Sequence, residues 1–257
     1  MRYTFGTSQA AADRLNKIAE FFNPLAKDFI KQFVHRQIKI ALDLGCGPGF
    51  TTHMLKQATN SKDTYGLDLS NSFLKLARKQ YPEYTFLKHN VTVVPFPVNA
   101  DIIYTRFLLS HLNKIVTTID NWAGELNEDG ILCIEEVEDI FTDITVFKEY
   151  LEANKGLIAN QGAKLYIGKT LGNARYKNKV IYNKSVLLPV SNYQAASWFY
   201  PNTINIWKKE KFIKKLFNKN KRNAISIKLK NIMMNKNNNS DITWKMRRIV
   251  LLGSVLK

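Results

Sequence analysis

Three glycines at alternate positions, Gly45, Gly47 and Gly49, follow directly on an apolar run that holds Ile38, Ile40, Leu42 and Leu44. A helical pattern begins at Thr51 and runs through Ala58. Strand, glycine turn and helix together present backbone N–H groups and a helix N-terminus to a ligand. Glycine is required where a Cβ would collide with a ligand lying against the main chain. Dinucleotide-binding domains use a related turn, but with the spacing G-x-G-x-x-G, unlike the Gly45-Cys46-Gly47-Pro48-Gly49 found here. Asp43 stands two residues before the first glycine, where a carboxylate suits a cationic ammonium group better than a pyrophosphate. Asp68 ends the next apolar run about 20 residues on, where an acidic side chain can accept hydrogen bonds from both hydroxyls of a ribose.

The nine residues Leu42–Phe50, LDLGCGPGF, closely resemble the first motif of the class I S-adenosylmethionine-dependent methyltransferases. The resemblance implies a cofactor, S-adenosylmethionine, whose amino-acid end lies on Asp43, Gly45, Cys46, Gly47 and Gly49 and whose ribose lies on Asp68 beside Leu69. It also places Asn90 and Val91 near the adenine; similar enzymes often carry Asp and a small residue there, and the Asn90 amide oxygen can still accept from the adenine amino group. Thr105 and Arg106, at the end of DIIYTR, fall where the methionine moiety is flanked. His111 is the one titratable base in the segment that follows, a candidate to accept a proton from a substrate hydroxyl or amine. The alternative for His111 is an imidazole packed at a helix start. Glu135, Glu136 and Glu138 lie at or beyond the C-terminal end of the strand ILCIEEVED, the edge that carries sites in parallel sheets, and Glu135 is taken as a substrate contact. Cys133, between Leu132 and Ile134, reads as core.

The elements that must position these groups come in the order strand, helix, strand, helix. Strands are expected at Asp63–Ser70, Thr85–Lys88 and Asp101–Thr105, with Ser70 capping a helix over Asn71–Gln80 and another helix over Asn113–Leu126. Beyond residue 140 the periodicity predicts a helix over Phe147–Gly162 and a strand or strand pair over Lys179–Val190, closed by Pro189. NYQAASWFYPNTINIWKK reads as a helix broken at Pro201, and ITWKMRRIV as a terminal strand returning antiparallel into the sheet. The expected fold is α/β and Rossmann-like: a mostly parallel seven-stranded sheet with an antiparallel last strand and an inserted helical cap. Residues 1–140 are expected to form the cofactor-binding core with an N-terminal helix. Residues 141–240 would form the cap, and 241–257 the terminal strand.

A second resemblance, to a bacterial subgroup of these methyltransferases, rests on YTFGTSQAAADRL, NQGAKLYIG, NTINIW and ITWKMRRIV. It implies that the basic C-terminal quarter is part of the ordinary domain. By position, Tyr3, Phe5 and Arg14 are candidates to close over the cofactor, with the arginine near its carboxylate or, alternatively, on the helix surface. Gln161, Tyr166, Trp207, Trp244 and Arg247 are candidates to line a substrate pocket, the aromatics reading equally as core.

Composition bounds the rest. The 257 residues carry a net charge of +17, but the excess is local. Lys208 to Lys236 hold eleven Lys or Arg against Glu210 alone, whereas the first 207 residues carry only +4. This Lys- and Asn-rich quarter either reflects composition or serves an anionic partner such as RNA. No run of about 18 apolar residues is present to cross a membrane. The N-terminus lacks an apolar stretch of the secretory kind, and two cysteines cannot build a disulfide framework, so the cytoplasm is the expected compartment. No metal site is expected, and the oligomeric state is left open. TRFL replaces the Asn-Pro-Pro-Tyr-like tetrad of adenine-N6 and glutamine methyltransferases. The expectation is methylation of an O or N atom on a small organic acceptor. RNA methylation through the basic segment and a non-catalytic cofactor-binding module are the alternatives.

Overall fold

The computed structural model describes residues 6–236 and 239–253. Tyr3 and Phe5 lie outside them. The chain opens with helix α1 (Gln9–Lys31), whose N-cap Ser8 side chain accepts from the Ala11 N–H. Its buried residues include Ala11, Ile18, Phe22, Ala26 and Phe29, the three-to-four spacing of one helix face. Then follow β1 (Ile40–Leu44), α2 (Phe50–Thr59), β2 (Asp63–Asp68), α3 (Asn71–Gln80), β3 (Thr85–Lys88), β4 (Ala100–Arg106), a 3-10 turn (Leu109–His111), α4 (Ile115–Ala123) and β5 (Leu126–Thr142). The second half supplies α5 (Thr145–Ala159), α6 (Gly168–Gly172), β6 (Val180–Val190), α7 (Asn192–Asn205), α8 (Lys211–Leu216), α9 (Lys219–Met234) and β7 (Ile242–Leu252).

Seven strands form one sheet in the order β3-β2-β1-β4-β5-β7-β6. The first five are parallel, and β7 runs antiparallel between β5 and β6. The order reverses between β1 and β4, so the crevice at their C-terminal ends is the place for a ligand. Alternation along the strands divides the core. Leu42, Leu44, Ile103, Leu132 and Ile134 pack with Trp122 of α4 on one face. Ala41, Ile102, Tyr104 and Cys133 pack with Phe29 of α1 and Leu55 of α2 on the other. A third cluster joins α5, α7, α8 and α9 through Phe147, Tyr150, Trp198, Trp207 and Leu229. These helices are inserted on either side of β6, above the strand ends.

Several local expectations are corrected. The helix expected over Asn113–Leu126 is shorter, because Lys114 sits in a left-handed conformation before it and the chain turns after Ala123. The helix expected over Phe147–Gly162 starts at Thr145 and stops at Ala159. Pro201 does not break α7: Trp198, Phe199, Asn202 and Thr203 are buried on both sides of it, and this packing holds the helix together. Pro189 lies inside β6, which is one strand, paired with Thr243 of β7; β6 is the sheet edge, the place where strands tolerate proline.

Candidate functional site

The turn after β1 takes the conformation its glycines permit. Gly45, Gly47 and Gly49 have φ of +71°, +51° and +90°. A Cβ on Gly45 would stand 2.9 Å from the Leu108 side chain, so the turn and the segment after β4 approach closer than any other residue allows. The N–H groups of Gly45 and Cys46 donate to the Leu67 carbonyl, tying the turn to β2. Asp68 accepts from the Gly47 N–H at 2.9 Å with one oxygen and from the Ser70 N–H at 2.7 Å with the other. Burial raises its pKa, against these hydrogen bonds. Leu69 beside it is 49% exposed.

Around this turn lies a cavity of about 120 Å³, whose wall includes Gly45, Cys46, Gly47, Thr51, Asp68, Arg106 and His111. Leu15 and Ile18 of α1 cover it together with Phe107. Asp43 is not on the wall. It is 1% exposed, and one of its oxygens accepts from both Thr51 Oγ1 (2.6 Å) and Thr52 Oγ1 (2.7 Å). Burial pushes its carboxyl up to about 7, opposed by the two threonines and the Arg106 charge. Asp43 thus acts on the cavity from behind, through the start of α2 and through its charge. Arg106 is buried on the wall; its Nη2 donates to Asn23 Oδ1 at 2.7 Å, while Nη1 has no hydrogen-bond partner. Its guanidinium stacks near Phe22 and Phe107.

A second cavity, about 110 Å³, shares Leu15, Ile18, Phe107 and His111 with the first. Its other side is aromatic, with Tyr150 of α5, Trp198 and Phe199 of α7, and Trp244 of β7. Arg14 lines this second cavity and not the first, contrary to its expected place beside the cofactor carboxylate. His111 stands on the shared wall as a neutral imidazole, because burial and then the Arg14 charge push its pKa down to about 4. The turn that carries it is held by Glu136, one oxygen of which accepts from the N–H groups of Leu108 and Leu109, both at 2.7 Å.

Other expected site residues are placed elsewhere. Glu135 faces inward from β5, accepting from Tyr104 Oη at 2.7 Å and pairing with Arg248 at 2.7 Å, so it is an internal ion pair. Thr105 is buried and donates to the Leu44 carbonyl, joining β4 to β1. Asn90 turns its amide oxygen to the backbone and hydroxyl of Thr92. Val91 is core, its carbonyl accepting from Trp122 Nε1 at 2.6 Å. Trp207 is fully buried behind the second cavity, stacked on Tyr150 at 5.5 Å. Gln161 is exposed after α5. Tyr166 lines an open groove beside Glu138 and Asp139, while its neighbour Leu165 reaches the second cavity. Arg247 is bound to Glu138. Of the aromatic candidates among the described residues, Trp244 alone lies on that cavity's wall. Phe107, Tyr150, Trp198, Phe199 and Asn202 were missed. Their signal was present as helical spacing: Trp198, Phe199 and Asn202 share one face of α7, and Tyr150 and Asn154 one face of α5.

Residues 42–134 match the methyltransferase domain family. A trans-aconitate 2-methyltransferase of Afipia carboxidovorans is 27% identical over 115 residues, which is 45% of this chain and 45% of that protein. The chain therefore matches about half the length of this relative. Among solved structures, a coclaurine N-methyltransferase bound to N-methylheliamine and S-adenosylhomocysteine superposes with a TM-score of 0.57 at 14% identity, covering 90% of this chain and 72% of that one. A Haemonchus contortus N-methyltransferase in complex with phosphomonomethylethanolamine and S-adenosylhomocysteine gives 0.51 at 15%, covering 93% and 57%.

Proposed function

We propose that the chain, whose residues 42–134 match a methyltransferase domain, is a class I methyltransferase and transfers a methyl group from S-adenosylmethionine to a small-molecule acceptor. The observation that carries this reading is the pair of cavities divided by one wall, with the glycine turn and Asp68 on one side and an aromatic enclosure on the other. Methyl transfer from one molecule to another needs two adjoining sites. The first cavity's residues fit the cofactor. Asp68 offers carboxylate oxygens at the end of β2, and Leu69 exposes an apolar face beside it. The buried Arg106 Nη1 lacks an acceptor, which the cofactor's own carboxylate would supply. The Asp43 charge behind the turn favours the positive end of the same molecule. The structures that contain S-adenosylhomocysteine support the same assignment.

When bound, the cofactor supplies a methyl carbon already activated by its sulfonium. What remains for the protein is alignment and exclusion of water. Holding two reactants in line is worth up to about 7–11 kcal/mol of barrier. Phe107, on both walls, stands where the acceptor atom must face the methyl group. It is held there by Phe22 and Trp244, with ring centroids at 5.2 and 6.1 Å. Glu136 fixes the following turn, and with it the position of His111. The test is titration calorimetry with S-adenosylmethionine and S-adenosylhomocysteine, followed by incubation with methyl-labelled cofactor and a small-molecule extract. Micromolar binding and label on a small molecule are expected. Binding of NAD or ATP in place of both would overturn the assignment.

A further inference from the structure

The basic quarter of the chain runs through α9, and the two sides of that helix differ in kind. Ile225 and Leu229 are buried and, with Ile232 and Met233, pack on the cluster shared by α5 and α7. The side facing away carries Ala224, Ile227 and Met234, all exposed, the last two by 58% and 68%. At 3.6 residues per turn, Ile227 stands about 160° round the helix from both Ile225 and Leu229. Met234 follows Ile227 two turns on, about 10 Å along the axis.

Lysines border this ridge on both flanks. The same helical spacing puts Lys219 and Lys230 on one side of it and Lys221 and Lys228 on the other. Lys221 is paired with Glu149 of α5. Lys219, Lys228 and Lys230 have no carboxylate partner among the described residues. Aliphatic side chains scattered singly over a surface are ordinary. Two of them two turns apart on one stripe, between unpaired cations, are not. The fold gains nothing from this side, because α9 is already held on its inner one. There Thr203 Oγ1 of α7 lies 2.9 Å from Ser226 Oγ, and Arg222 Nη1 donates to the Phe217 carbonyl at 2.7 Å.

We propose that the outward side of α9 is a docking face for an anionic lipid surface. Ile227 and Met234 enter the boundary between headgroups and acyl chains, and the flanking lysines meet the lipid phosphates. Charge complementarity selects this partner: Lys208 to Lys236 hold eleven Lys or Arg against Glu210 alone. Lysine also suits the depth, since its alkyl stem lies along apolar material while the ammonium stays at the phosphates. The attachment is peripheral, as no described helix is long and apolar enough to cross a membrane. RNA is an anion too, but single strands are held by stacking bases on aromatic side chains. The two aromatics of this quarter, Phe212 and Phe217, pack inward on the α5 and α7 cluster, Phe217 with its ring 6.0 Å from Trp207. What α9 exposes is aliphatic. The helices directly behind it, α5 and α7, are those that enclose the second cavity through Tyr150, Trp198 and Phe199. The docking face does not depend on the methyl-transfer reading.

Co-sedimentation of the full chain with vesicles tests it. Vesicles of equal parts phosphatidylcholine and phosphatidylglycerol should carry the protein down, and added salt should release it. Vesicles of phosphatidylcholine alone should bind it more than about tenfold more weakly. A lysine at such a surface is worth about fivefold in affinity, so Lys228→Gln with Lys230→Gln should weaken binding about 25-fold. Ile227→Asn with Met234→Asn leaves every charge in place and should weaken it by about fivefold or more. Both double variants alter exposed side chains and should keep the wild-type Tm and S-adenosylmethionine affinity. A single-stranded oligouridylate should bind more weakly than the charged vesicles, and indifferently to the changes at Ile227 and Met234. Equal binding to both kinds of vesicle, or to neither, would overturn the proposal. So would vesicle binding that survives the loss of Ile227 and Met234, or an oligouridylate held more tightly than the charged vesicles, which would give the face to RNA. If a double variant does not fold, the wild-type comparison of the two vesicles and the oligonucleotide decides. Vesicle binding without any binding of S-adenosylmethionine would sink the methyl-transfer reading and leave the docking face standing. Cofactor binding without vesicle binding sinks the docking face alone.

Discussion

Replacing Glu136 by Gln tests whether the turn beneath His111 rests on a neutral carboxyl. Glu136 is fully buried, one oxygen accepts from two backbone N–H groups, and the other has no partner. Burial pushes its pKa up from 4.5 to about 8, against the pull of those two N–H groups. Because the folded value is raised, the associated stability is fully present below pH 4.5 and is lost as pH rises through about 8. In that window the unfolded chain sheds the proton while the folded chain keeps it. At about 1.4 kcal/mol per pH unit, the wild type loses about 3.5 kcal/mol between pH 5 and pH 8 through this group alone. Glutamine keeps the accepting oxygen, matches the neutral form and cannot ionise. Glu136→Gln should therefore match the wild type at pH 5 and exceed it by about 3.5 kcal/mol at pH 8, or about 10 °C in Tm for a chain of this size. Urea denaturation at pH 5, 6, 7 and 8 reads the divergence directly. Parallel stability curves for the two proteins would refute the reasoning, showing that Glu136 is ionised in the fold.

The other predictions concern the first cavity. Asp68→Ala should weaken S-adenosylmethionine binding about 10- to 100-fold in calorimetry, the range for hydrogen bonds to a charged group. Asp68→Asn keeps one of the two oxygens that accept from the Gly47 and Ser70 N–H groups and should lose affinity with a smaller drop in Tm than Asp68→Ala. Cofactor affinity should fall about fivefold from pH 7 to pH 6, because Asp43 must give up a proton to face a positive ligand. Calorimetry in buffers of different ionisation enthalpy should show that proton released, and Asp43→Asn should abolish the dependence. Gly45→Ala forces a left-handed alanine against Leu108 and should cost about 1–3 kcal/mol in denaturant unfolding. It should also displace Leu108 into the cavity and reduce cofactor binding.

The core of the fold was legible because its signals are local. The apolar strand, the glycine turn and the acidic strand end each depend on residues a few positions apart, and the strands of the first half follow from them. The antiparallel return of β7 was readable from its alternation. What escaped depends on side-chain direction and on distant partners. Glu135 stands at a strand end where a substrate contact was expected. Its direction depends on Tyr104 and Arg248, the latter more than a hundred residues away. Arg14 lies on a helix that touches both cavities, and sequence cannot tell which one its guanidinium enters. Pro201 read as a break because its local cost is visible and the packing around Trp198 and Phe199 that offsets it is not. Trp207 and Trp244 have the same residue type and similar apolar surroundings in sequence. Only the fold sends one into the core and the other to a cavity wall.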